Sequence, residues 1–92
     1  MFHFVYIIYS STKGIYYKGY SKRPFFRLKQ HNENLGCYTK YKGPWVIVYL
    51  QSFQEKKQAL IRERKLKKYS KAQIKKLIQT PLNELEHLQS KK

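Results

Sequence analysis

The chain has 92 residues, room for one small domain, and a 41% hydrophobic content that argues against wholesale disorder. Its 20 Lys and Arg face only 5 acidic residues, all Glu, for a net charge of +15, which points to polyanionic partners, nucleic acid ahead of an anionic membrane. The lone Cys37 excludes a disulfide framework and zinc sites built on cysteine pairs, making a reducing cytoplasmic setting the default, and no apolar run approaches the ~18 residues a membrane span needs.

Residues 3–9 (HFVYIIY) are β-branched and aromatic and predict a strand; with no basic stretch before them they do not read as a signal peptide. Ser10 to Gly14 is a polar turn, and 15–20 (IYYKGY) completes a hairpin. Pro24 suits the first turn of a helix over 24–32, with Ser21 as a candidate cap. Residues 33–44 carry two Gly, one Pro and scattered polar groups and predict a loop, followed by a third strand over 45–53. The stretch 54–69 has no Gly or Pro and predicts a helix. Ser70-Lys71-Ala72-Gln73 has the capping-box pattern and starts another, to about residue 79. Thr80-Pro81 marks a cap and first turn before a last short helix, LNELEHLQ. The fold class expected is α/β (α+β), a small antiparallel sheet flanked by helices in the order β-β-α-β-α-α-α. Residues 1–79 form the domain, and 80–92 a short helix and basic tail.

The acidic residues narrow the chemistry. Most metal-dependent nucleases gather two or three carboxylates around Mg²⁺, and here only Glu33, Glu55, Glu63, Glu84 and Glu86 exist. Glu55 suits the dipole of a helix start, Glu33 lies just past the first helix, and Glu84 and Glu86 fall in an exposed terminal segment. Glu63 differs. At about 100° per residue, Ala59, Glu63 and Leu66 share the apolar face of their helix. A carboxylate there is costly unless it is paired, for instance with an Arg, or binds a metal.

Arg23, Arg27 and His31 line one face of the first helix by their spacing, either a solvated basic face or part of a site. If the hairpin turn is Ser10 to Lys13, Tyr9 pairs with Gly14 and Tyr6 stands opposite Tyr17. That pair is either cross-strand packing or two phenols at one site. Tyr16 points to the opposite face from Tyr17.

Together these positions resemble the GIY-YIG nuclease family over roughly residues 3–78, most closely small single-domain members related to the nuclease domain of the DNA-repair excinuclease C subunit. Phe4-Val5-Tyr6 stands for the first motif and Tyr17-Lys18-Gly19 for the second, so the letters G-I-Y at 14–16 are not the motif. Arg27 follows Tyr17 by ten residues, His31 lies one turn on, and Glu63 falls within QALIRERKLKKYS, which looks like the family's glutamate helix. Thr39 to Trp45 is similar to the loop of the small members. Departures are Phe4 in place of Gly, Lys18 in place of an aliphatic residue, and Tyr20 where the repair relatives carry a Lys.

The resemblance implies hydrolysis of DNA phosphodiesters with one Mg²⁺ or Mn²⁺ ion. Glu63 would bind the metal, Arg27 would stabilise charge on phosphorus, and Tyr6 and Tyr17 would jointly position or deprotonate the attacking water, with His31 beside them. Arg23, Lys40, Lys42, Arg64, Lys67 and Lys68 would contact nucleic acid. A chain of this size holds no separate element for reading bases, so low sequence specificity is expected, with phosphate contacts from the basic helices between Lys56 and Lys76 and a steep salt dependence. A cytoplasmic, nucleoid-associated monomer acting in DNA repair or processing is the expectation. The alternative is a non-catalytic nucleic-acid-binding module, in which tyrosine-rich strands and basic helices stack bases and track a backbone. Membrane binding fits poorly, because the basic helices are short and polar.

Overall fold

The computed structural model describes residues 2–89, with the Gln89 side chain left aside. Its elements are β1 (His3–Ser10), β2 (Ile15–Ser21), α1 (Pro24–Asn32), β3 (Trp45–Phe53), α2 (Lys56–Leu66), α3 (Lys71–Ile78) and α4 (Leu85–Gln89). The order is the one expected. The three strands form one antiparallel sheet with β1 in the middle, flanked by β2 and β3. A central strand covered on both faces needs apolar residues in succession, and Val5 to Ile8 are all buried.

Alternation along the strands sends side chains to two cores. On one side Val5, Ile7 and Tyr49 pack against Ala59 and Leu66 of α2 and Ile74 and Leu77 of α3. On the other, Tyr6, Ile8, Trp45 and Leu50 pack against Phe25 and Leu28 of α1 and Leu85 and Leu88 of α4. A bulge at Ile7/Ile8, where Val48 is the extra residue of β3, lets Val48 and Tyr49 both meet the first core.

The hairpin register differs from the expected one by two residues. Tyr9 pairs with Tyr16 and Ser10 with Ile15, so Tyr6 stands opposite Gly19 and Tyr17 opposite Ile8. Ser10 reads as a turn residue but is buried, because its hydroxyl donates to the Lys42 carbonyl at 2.5 Å. It therefore extends the strand and moves the turn forward. A slip of two preserves face parity, so Tyr6 and Tyr17 still share a face, as diagonal neighbours.

Helix starts were partly legible. The Ser70 capping box is present, with Gln73 N–H donating to Ser70 Oγ (3.2 Å) and Ser70 N–H to Gln73 Oε1 (2.7 Å). Ser21, by contrast, does not cap α1; its Oγ accepts from Arg23 N–H at 2.9 Å, and Arg23 is the capping residue. Thr80 does not cap α4 either. Its hydroxyl donates back to the Leu77 carbonyl at 2.7 Å, and Asn83 Oδ1 accepts from Leu85 N–H at 3.0 Å.

Residues 83–84 also cover the outer edge of β3. Glu84 N–H donates to the Leu50 carbonyl (2.7 Å), Asn83 Oδ1 accepts from Leu50 N–H (3.1 Å), and the Glu84 carboxylate accepts from Ser52 N–H (3.1 Å) and Oγ (2.7 Å). Glu84 is thus half-buried and structurally engaged rather than part of an exposed end. No helix among the described residues is long and apolar enough to cross a membrane.

Candidate active site

The site is organised around the phenol of Tyr6. Its residue is 2% exposed, on the face of the sheet covered by α1. A strand position opposite normally carries a side chain that would fill the space above the ring. Here it is Gly19, and a Cβ on Gly19 would collide with Cε1, Cζ and Oη of Tyr6. The glycine of Tyr17-Lys18-Gly19 is therefore required by close approach, leaving room for the Tyr6 ring over the edge strand.

The Tyr6 hydroxyl meets His31 Nε2 at 2.9 Å, and His31 Nδ1 meets the hydroxyl of Thr39 at 2.6 Å. His31 is 1% exposed and Thr39 fully buried. Gly36 makes room for this contact too, since a Cβ there would press on Thr39 Oγ1 and His31 Nδ1. Burial, with the nearby Arg27 charge, pushes the His31 pKa down to about 4. The imidazole is neutral near pH 7, so one nitrogen donates and the other accepts. At any moment the chain runs one way: Tyr6 donates to Nε2 while Nδ1–H donates to Thr39, or Thr39 donates to Nδ1 while Nε2–H donates to Tyr6. The second state frees the Tyr6 proton to point elsewhere.

Burial pushes the Tyr6 pKa above the ordinary tyrosine value. The charges of Tyr17 and Glu63 push the same way, while Arg27 pulls it down without prevailing. An activated tyrosine would need Arg27 and His31 to lower its pKa, and for Tyr6 that does not happen. Arg27 is outweighed by burial, and a neutral His31 brings no charge. Tyr6 stays protonated through neutral pH.

The other members approach from separate elements. Tyr17, half-buried on β2, sets its ring edge-on to His31 (5.2 Å between centroids) and stacks on Tyr38 (5.6 Å, 22°). Arg27, one turn before His31 on α1, donates to Gln30 Oε1 at 3.0 Å. Glu63 is partly shielded, with a side chain 19% exposed, and its carboxylate pairs with Lys67 Nζ at 3.5 Å rather than with an Arg. Tyr6, Tyr17, Arg27, His31 and Glu63 are thus brought together from β1, β2, α1 and α2. The basic face of α1 is no solvated stripe at its end, since His31 is buried.

The basic residues divide. Lys67 borders the site, and Lys42 Nζ lies 3.9 Å from the centre of the Tyr38 ring. Lys40 lies over Tyr41 (5.3 Å), and Arg23 over Phe26 at the start of α1 (4.7 Å). Arg64 faces a separate hollow on α2 with Lys56 and Lys57, and Lys68 is exposed just past that helix. Sequence reasoning missed Thr39 and Tyr38. The loop over 33–44 offered no periodicity to single them out, and their importance comes from contacts with His31 and Tyr17.

The chain is similar to known proteins over most of its length. The GIY-YIG catalytic domain family matches residues 2–77. A UPF0213 protein of Staphylococcus epidermidis is 40% identical over 78 residues, 84% of this chain and 94% of that protein. A UPF0213 protein of Staphylococcus aureus is 39% identical over 77 residues, 83% and 93% of the two chains. The solution NMR structure of a UPF0213 protein from Bacillus halodurans superposes with a TM-score of 0.57 at 30% identity, covering 89% of this chain and 87% of that one. With the family match spanning nearly the whole fold and the motif glycine explained by the reach of Tyr6, the chain belongs to the GIY-YIG family.

Proposed function

We propose that this protein is a DNA endonuclease that hydrolyses phosphodiester bonds with one divalent metal ion and little sequence preference. One observation supports this most: the Tyr6 phenol lies within the electrostatic reach of Tyr17, Arg27 and Glu63 at once. A carboxylate, a guanidinium and two phenols from four elements thus act on one another.

The residues fit a hard cation of limited protein ligation. Among the described residues no group of three His, Cys, Asp or Glu could cage an ion. Glu63 offers one carboxylate, partly open to solvent, and its ion pair is with a Lys67 whose side chain is 56% exposed. Such a pair is weak and readily exchanged. Mg²⁺ or Mn²⁺ would be held by Glu63, with water and substrate oxygens as its other ligands. When bound, it would offset the charge that builds on the phosphate.

The chain's own groups divide the remaining work. Arg27 presents a planar fork to phosphate oxygens. Tyr6, protonated and fixed by His31, is a hydrogen-bond donor rather than a base. That leaves Tyr17, on the open side of the site, to orient the attacking water and to take its proton once the phenol's own proton has passed to solvent. His31 and Thr39 are positioning residues for Tyr6. Phosphate contacts by Lys42, Lys67 and the basic helices give affinity without sequence, falling steeply with salt. DNA repair or processing at the nucleoid is the setting such an activity would serve.

The test is Glu63→Gln with Mg²⁺ on duplex, flapped and single-stranded DNA. Cleavage should fall by roughly a hundredfold or more, the scale on which losing one charge-stabilising group is felt, while binding persists or tightens. A wild-type protein that binds DNA and cuts none of the three would overturn the proposal in favour of a binding module.

A further inference from the structure

A hollow of about 210 Å³ crosses the outer edge of β2, lined by Tyr16, Tyr17, Lys18, Tyr38 and Lys67. We infer that it is a binding site for one unpaired nucleobase, with Tyr38 as the stacking platform. This rests on the reading of the chain as a nucleic-acid-binding protein, but not on its cutting anything.

Tyr38 is 53% exposed, yet it is not loose, because its ring stacks on Tyr17. A flat, partly exposed ring fixed from behind is what a base needs to stack against. The ammonium of Lys42 lies over the same ring at 3.9 Å. An exposed cation on a tyrosine is held more weakly than a stacked base. The base therefore displaces Lys42, whose charge moves onto the backbone phosphate of the incoming strand. Lys42 holds the platform in the free protein and becomes a phosphate contact in the bound one.

The rest of the hollow selects the same ligand. Burial, with the charge of Lys67 in the same hollow, pushes the Lys18 pKa below the ordinary lysine value. Two crowded ammonium groups beside aromatic rings favour a flat apolar body attached to an anion, which describes a nucleotide. A base inside a duplex has both faces covered by its neighbours, so only an unpaired one can be received. Stacking on a phenol ring tolerates any base, so the platform distinguishes unpaired from paired more than one base from another.

The experiment uses the full chain in EDTA, so that nothing is cut, and a short oligonucleotide carrying 2-aminopurine, single-stranded or in duplex. Stacking should change the fluorescence of the single strand. Tyr38→Ala should abolish that change and weaken single-strand binding roughly five- to hundredfold, the range expected for losing one stacked base. Tyr38→Phe should restore both, and duplex affinity should be unchanged throughout. The inference is overturned if the wild type leaves the fluorescence unaltered, if Tyr38→Ala weakens duplex and single strand alike, or if Tyr38→Phe fails to rescue. A protein that stacks the base but never cleaves with Mg²⁺ keeps this site and loses the nuclease reading. One that cleaves with Mg²⁺ but leaves the fluorescence of the single strand unaltered does the reverse.

Discussion

Both faces of the sheet are rich in tyrosine, and the two sets meet different ends. On the face covered by α2 and α3, Tyr9 and Tyr16 pair across the hairpin at 4.7 Å, Tyr16 and Tyr20 flank the apolar core, and buried Tyr49 donates to Gln51 at 2.6 Å. These rings fill space. On the face covered by α1, Tyr6 and Tyr17 meet His31 and the charge of Arg27 from that helix, with the charge of Glu63 reaching Tyr6 from α2. The strands are the same strands and the residue type is the same. What makes a tyrosine chemical here is the polar cargo of the helix laid over it. Adjacent residues, Tyr16 and Tyr17, fall on opposite sides of that division.

The largest test of the contrast is acid. His31 has a folded pKa of about 4 against 6.5 for the free side chain, so between those values the unfolded chain binds a proton that the folded one refuses. Stability is therefore full above pH 6.5 and falls as pH drops toward 4, by on the order of 3 kcal/mol at most. Urea denaturation across that window measures it, and His31→Gln should flatten that part of the profile. An equally steep curve in the variant would mean the α1 face is not held by a neutral imidazole.

Gly19→Ala comes next. Its new Cβ has to move a buried ring, and overpacking of that kind costs about 1–3 kcal/mol, read as a lower denaturation midpoint and a disturbed Tyr6 environment. Smallest is a pair of hydroxyl deletions. Tyr6→Phe leaves His31 Nε2 without its partner and should cost about 1–2 kcal/mol, whereas Tyr16→Phe keeps the ring that pairs with Tyr9 and should stay within ~0.5 kcal/mol of the parent. Equal costs would erase the distinction between the faces.

Much of the site was legible because it follows periodicity. The helical wheel put Glu63 beside Ala59 and Leu66, and these two are buried with Glu63 next to them, partly shielded. Strand alternation separated Tyr16 from Tyr17. The hairpin register was not legible, because Ser10 has the composition of a turn and is kept in the strand by a carbonyl 32 residues away. The same holds for Thr39, whose value lies in one contact with His31, and for Glu84, which finishes a strand edge some 32 residues upstream. Local chemistry can be read along the chain, while partners distant in sequence cannot. The caps were settled between local partners, with different outcomes. Ser70 and Gln73 satisfy each other, while Ser21 and Thr80 bond to neighbours that the helix start does not need.

The covered edge of β3 has a consequence for how these molecules behave in a crowd. With Asn83 and Glu84 occupying that side, β2 is the edge of the sheet left to invite another strand, and open edges are where sheets polymerise. A strand added there would have to bury the Lys18 ammonium next to that of Lys67. The lysine that replaces an aliphatic residue in the motif thus acts as a guard against self-association. It leaves that edge unfavourable for a second polypeptide strand.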